Sequence, residues 1–187
     1  MSIYKFNEVL NDTINYFLLV DILNLNNYKI QNNLSNYLAN ELTTNKSGDE
    51  IIEKGILIPM YGIENYPYTI IFNLSNEIPE LLKEENQLQI RQNGYILKIE
   101  SGNLMLFTWW ILNDFTEEKI NKLLELYKQH NKPLIEIEKG WYEVEILGGL
   151  TITDEKELEP TFEFIIKQTN KPADFKADAS KLYYLKK

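Results

Sequence analysis

The sequence has no cysteine, one histidine (His130) and one arginine (Arg91) in 187 residues. Each scarcity removes a class of chemistry. Without cysteine there is no disulfide and no thiolate metal site, which fits a reducing compartment. With one histidine, any Ser-His-Asp site would have to be built on His130 alone. A zinc site is all but excluded for the same reason, and no metal or cofactor is expected. His130 falls in the last turn of a predicted helix beside Lys128 and Lys132. That is the place of an ordinary surface histidine, whose charged form the helix C-terminus favours. No HExxH, Walker A or GxGxxG pattern occurs, and Gly148-Gly149 is a bare pair suited to a turn or bulge.

Long apolar runs are lacking too. The run Tyr16 to Val20 is short and closed by Asp21, far from the length that spans a bilayer. The N-terminus MSIYKFNEVLND lacks the basic and apolar regions of a secretory signal, so a cytoplasmic location is expected. Positive charge is scarce: the net charge is −9. Nucleic-acid binding needs clustered Lys and Arg to displace counterions from phosphate. Neither nucleic acid nor an anionic membrane surface is therefore an expected partner. The hydrophobic fraction of 44% is that of an ordinary globular protein. The length predicts one domain, residues 1–187, large enough to bury most of its unfolded surface. Abundant Asn, Ile, Lys and Tyr with little Ala and Arg point to AT-rich codons and a bacterial source.

What is present is organised around Asn86 to Leu112, NQLQIRQNGYILKIESGNLMLFTWWIL, which reads as three antiparallel strands. Asn93-Gly94 is a strong two-residue hairpin signal. With that turn, Leu88, Ile90, Leu97 and Ile99 share one face, and Gln89, Arg91, Ile96 and Lys98 the other. Leu104 to Leu112 does not alternate, which predicts a strand covered on both sides, with Trp109 and Trp110 on opposite faces. The aromatic run reads first as core packing.

Elsewhere, Ile14 to Ile22 suits a strand by its β-branched and aromatic content, although a buried helix fits the same run. Leu34, Tyr37, Leu38 and Leu42 make a helical face over Asn32 to Leu42. TTNKSGDE reads as a surface loop. GILIPMYG is a strand whose Pro59 requires an edge or a bulge. Tyr66 to Leu74 alternates as a strand. SNEIPELLKEEN gives one or two helical turns, with Pro79 suited to a first helical position. FTEEKINKLLELYKQHNKP is the clearest helix, with Thr116 as N-cap, a Phe115–Ile120 staple and Pro133 as the stop. A hairpin across Lys139-Gly140 is predicted next, Ile137 opposite Tyr142 and Ile135 opposite Val144. Pro160 to Gln168 returns as a strand, and LYYLKK suits a final short one. The fold class is α+β: a mostly antiparallel, sandwich-like sheet with two to three helices packed on it.

The predicted hairpin concentrates charge. From Glu136 to Glu163 there are nine acids and two lysines, a net −7 of the chain's −9. Glu136 directly faces Glu143 in that register, which costs on the order of 0.2 to 1 kcal/mol. Glu136, Glu138, Glu143 and Glu145 share a face with Trp141 at the turn. Those five residues are the candidate partner-binding set: acids steer a basic protein and the indole anchors it. A solvated strand face fits the same pattern. Asp154, Glu155, Glu157 and Glu159 lack the alternation and central glycine of a calcium loop and read as a solvated acidic loop. With 28 acids in the chain, carboxylate-based catalysis in an aromatic-lined pocket remains an alternative, as does a structural or regulatory domain.

The strand YTIIFNLS, a connecting segment and the Gly140-Trp141-Tyr142 pattern followed by Glu143 and Val144 resemble small bacterial inhibitor and immunity proteins. The family in view is the inhibitor of the competence DNA-entry nuclease. The resemblance spans roughly Tyr66 to Gly148; this chain adds a helix and a C-terminal strand. It implies a β-sandwich and a cytoplasmic, non-enzymatic protein that binds and blocks a toxin or nuclease.

Overall fold

The computed structural model describes residues 2–9, 13–171 and 174–186. Parts of the N-terminal stretch inspected for a signal, and the last lysine of LYYLKK, lie outside the described residues. The fold is α+β. Among the described residues, nine strands form two sheets accompanied by four α-helices. The strands are β1 Ile3–Val9, β2 Tyr16–Val20, β3 Leu57–Tyr61, β4 Pro67–Asn73, β5 Gln87–Ile99, β6 Asn103–Thr108, β7 Leu134–Glu136, β8 Gly140–Ile152 and β9 Leu158–Thr169. The helices are α1 Ile22–Gln31, α2 Leu38–Thr44, α3 Ser47–Glu53 and α4 Glu117–Gln129. The larger sheet has the order β1-β4-β9-β8-β5, the smaller β3-β2-β6-β7. All pairs are antiparallel except β4 with β9.

The layers follow from which faces are apolar. Alternate residues of the large sheet (Phe6, Ile70, Phe72, Leu97, Val144, Ile146, Phe162, Phe164) meet Phe17, Leu19, Leu104 and Leu106 of the small one in a shared core. The small sheet is apolar on its other face as well, where Leu18, Val20, Met105 and Phe107 pack against the helices through Ile22, Leu25, Leu38 and Ile120. The order is sheet, sheet, helices. β6 is apolar on both faces because both are covered, as the lack of alternation requires.

Two closures hold the sandwich. The Asp21 carboxylate is fully buried and caps α1 by accepting from the Leu23 and Asn24 N–H groups at 3.1 and 3.2 Å. It also accepts from the N–H groups of Glu100 and Ser101, both at 2.7 Å, and from the Ser101 hydroxyl. One side chain thus ties the helix layer to the β5–β6 connection. Along the edge of β5, Lys98 N–H donates to the Gly55 carbonyl (2.7 Å), and Lys176 and Ala177 N–H to the Gly94 carbonyl (2.9 and 3.2 Å). The tail continues to β3, where Tyr183 N–H donates to Tyr61 O (2.8 Å), and Tyr183 and Leu185 enter the inter-sheet core.

Several expectations are corrected. Asn93-Gly94 is not a turn: β5 is one continuous strand, and the pair forms a bulge between Gln92 and Tyr95. Gly94 has φ +90° but Asn93 is not left-handed, whereas a type I′ turn needs both. The bulge keeps Tyr95, Leu97 and Ile99 inward with Ile90, while Leu88 is exposed. β6 ends at Thr108, and Trp109–Asp114 is a 3-10 turn, so the two tryptophans do not straddle a strand. Asn32 to Leu42 is helical only from Leu38, and TTNKSGDE ends α2 and begins α3. Helix α1 replaces the uncertain stretch after Asp21, which makes four helices where two or three were expected. Of the strand read over Ile14 to Ile22, Tyr16–Val20 forms and Ile22 opens α1, while Pro59 on an edge strand and the Thr116 cap of α4 agree with the sequence.

Candidate functional site

Three of the five candidate partner-binding residues share a surface: Trp141, Glu143 and Glu145 alternate along the outer face of β8, with Tyr142, Val144 and Ile146 turned inward, and Glu136 and Glu138 do not join them. The predicted hairpin does not form: β7 pairs with β6 in the small sheet, and β8 pairs with β5 and β9 in the large one. Glu136 stands opposite Asn103, not Glu143, with the Lys128 ammonium 3.9 Å away. Glu138 lies between the two sheets' strands, where its carbonyl accepts from the Tyr142 hydroxyl at 2.6 Å. Trp141 is partly buried: its ring packs against Gly55 and lies under the Lys98 ammonium, 5.7 Å from the ring centre. Glu143 stands across from Lys167, and Glu145 accepts from Arg91 Nε at 2.6 Å. The last two acids therefore face cations already.

The negative charge collects elsewhere, at the tip of the β8–β9 hairpin. Thr153 N–H donates to Glu157 O (2.9 Å) and Lys156 N–H to Thr153 O (2.9 Å), and Lys156 takes a left-handed φ of 63°. This tight closure fans Asp154, Glu155 and Glu157 outward. With Glu159 and Glu80 they line an open cleft of about 740 Å³, across which Lys5 is the facing cation. Glu159 accepts from the Thr69 hydroxyl (3.1 Å) and Glu80 from Lys83 (2.6 Å). Among the described residues, Asp154, Glu155, Glu157 and Glu159 make no ion pair.

The cleft is held by buried polar contacts. Glu163 is buried on the same sheet face and accepts from Asn73 Nδ2 (2.9 Å) and Leu81 N–H (3.0 Å), which pins the 3-10 turn at Glu80–Leu82. Asn86 bridges Glu80 O and the Ile152 N–H. The Glu163 contacts are buried, where a lost partner is costly, while the Asn86 bridge to Ile152 lies at the surface.

Little in this arrangement suits acid–base chemistry. The carboxyls displaced in pKa, Glu41, Glu118 and Asp178, are all lowered, chiefly by hydrogen bonds from Ser35, Lys122 and Ser180 respectively. A general acid needs the opposite displacement. Tyr68, Tyr127 and Tyr183 are raised, mainly by burial, and stay protonated. His130 is exposed at the C-cap of α4. Among the described residues, no group of three or more His, Asp or Glu side chains is placed to hold a metal ion. An aromatic-lined groove of about 430 Å³ does occur, between exposed Trp110 and Leu123 and Leu126 of α4, but it is open and apolar, with the lysines on its rim paired to Asp114 and Glu118. Among the described residues, no helix is long and apolar enough to cross a membrane.

The acids of the cleft were visible in the sequence as a charged loop. What the sequence did not carry was their partner wall, Lys5 and Glu80, which only the sheet order brings to them.

No family model matches the chain, and no curated protein matches it. Among solved structures, one named "Crocagin biosynthetic gene J" is similar at 11% identity and a TM-score of 0.47, over 88% of this chain and 98% of that one. A likeness at that level carries no argument about function.

Proposed function

We propose that this chain is a non-enzymatic binding protein of the immunity or inhibitor type, which blocks a basic toxin or nuclease by occluding it. The observation that supports this reading is the β8–β9 cleft, where four carboxylates make no ion pair among the described residues and Lys5 lines the facing wall. Uncompensated acids on a rigid support raise the encounter rate with a basic surface and repel phosphate backbones and anionic lipid. The binding surface accordingly moves from the region around Gly140 to the tip at Thr153–Glu157. Glu143 and Glu145 are poor candidates, since binding would have to compete with Arg91 and Lys167.

The test compares two charge reversals as baits in the source organism's extract: Asp154→Lys with Glu155→Lys and Glu157→Lys, and Glu143→Lys with Glu145→Lys. The first should lose a basic partner that the unaltered protein retains at low salt and releases at high salt. Retention by the first set with loss by the second would return the site to the middle of β8. Capture that is insensitive to both would sink the electrostatic reading altogether.

A further inference from the structure

We propose that the outer edge of β1 is a self-association surface, to which a second copy of this chain adds its own β1, antiparallel, about a two-fold axis at Phe6. β1 is an edge strand of seven residues whose strand neighbour is β4. The other long edge of the same sheet, β5, is covered by Gly55 and the tail.

Hydrogen-bond parity restricts how a second strand can join. Leu74 N–H donates to the Ser2 carbonyl at 3.0 Å. Antiparallel ladders alternate with a period of two, so Tyr4, Phe6 and Glu8 direct their backbone groups to β4. Those of Ile3, Lys5, Asn7 and Val9 point to the open edge. Val9 agrees: its N–H donates to the adjacent Glu8 carboxylate at 3.1 Å and not to β4. A second β1 must therefore pair odd-numbered residues with odd-numbered ones.

Three registers satisfy that rule near the strand's middle, and side chains select among them. Centred on Lys5, the pairing sets two ammonium groups face to face, which is destabilising. Centred on Asn7, it leaves Ile3 beyond the end of the joined strands. Centred on Phe6, it places Ile3 opposite Val9 and Lys5 opposite Asn7, twice over. Ile3 and Val9 are apolar yet 46% and 52% exposed, and in this register they cover each other. The same register sets Tyr4 opposite Glu8 and Phe6 opposite its own copy, so every pair off the axis occurs twice, as an isologous surface requires. The product is a continuous ten-stranded sheet with both helix layers on one side.

Seven residues a side is less than a standard interface, so the association is weak and concentration-dependent. Sedimentation equilibrium of the full chain from about 10 µM to about 1 mM should show the mass rising from 22.1 kDa toward twice that value. Lys5→Pro removes an N–H that faces the open edge and spares the ladder to β4, so it should abolish the rise with the circular dichroism melt retained. Ile3→Lys should weaken the dimer about tenfold, and adding Val9→Glu should restore it, because the two positions are cross-strand partners only in this register. A constant 22.1 kDa across the range would overturn the proposal. So would a dimer indifferent to Lys5→Pro, or one that Val9→Glu fails to rescue.

Discussion

The two edges of the five-stranded sheet are finished in different ways. At β5 the chain folds back on itself: Gly55 takes the Lys98 N–H, the tail takes the Gly94 carbonyl, and Tyr183 seals the gap to β3. At β1 the open groups face outward, with an exposed lysine in mid-strand and a buried carboxylate, Glu8, turned inward toward Lys132. One edge is closed by distant parts of the same molecule. The other is left open, and the Lys5 charge restricts the registers in which a further strand can join it. The difference teaches where stability resides: several backbone contacts from remote segments gather at β5, whereas β1 is held by one ladder to β4, by Phe6 in the core and by the Lys132–Glu8 ion pair.

The largest change should come from opening the sealed edge. Tyr183→Ala leaves a cavity between the sheets and should cost about 3 to 5 kcal/mol by chemical denaturation. Asp21→Ala strands the donors at the end of β5 and should cost about 3 kcal/mol, with the helix layer losing hydrogen-exchange protection first. Gly94→Ala meets the backbone of Lys176 and Ala177 at 2.8 Å in a left-handed conformation and should cost about 2 kcal/mol. Proteolysis of the tail would report it directly. At the open edge, Ile3→Thr should stay within about 0.5 kcal/mol, since no core contact is lost. A result at β1 as large as that at Tyr183 would erase the distinction between the edges.

Acid should loosen the tail before the sheet. Hydrogen bonds from Ser180 hold the Asp178 carboxyl below the usual aspartate range. Its folded pKa is depressed, so its contribution is present above the unfolded value and is lost as pH falls through the folded one. Tail cleavage should accelerate only below the ordinary aspartate pKa, and Asp178→Asn should remove that dependence.

The strands and α4 were legible because their apolar periods matched the faces they bury. Helix α1 was not, because polar residues are buried beside its apolar stripe of Ile22, Leu25 and Tyr28. Asn24, Asn26 and Lys29 are buried and Ile30 is 60% exposed. Lys29 goes inside because its ammonium finds Phe115 O at 2.7 Å, from a segment far along the chain, and Asn36 Oδ1 at 2.8 Å, from the loop after α1. Both glycine hairpins failed for a related reason. A turn signal reports the local conformation, and Gly94 indeed has the expected positive φ. Whether the chain reverses there depends on what β8 and the tail offer instead. Glu136 and Glu138 parted from Trp141, Glu143 and Glu145 with them, since joining the two groups rested on the Lys139-Gly140 register.

The place of β9 in the sheet has a consequence for synthesis. It lies between β4 and β8, so without it the large sheet is two separate pieces, β1-β4 and β8-β5. Its residues, Leu158–Thr169, follow those of the other eight described strands, and the parallel register joins Thr69 to Thr161 across about half of the chain. Such distant pairings form slowly. Until β9 leaves the ribosome, the flank of β4 that it will cover stays open. A chain stalled before Leu158 should be held by chaperones or aggregate, and one stalled past the tail should not.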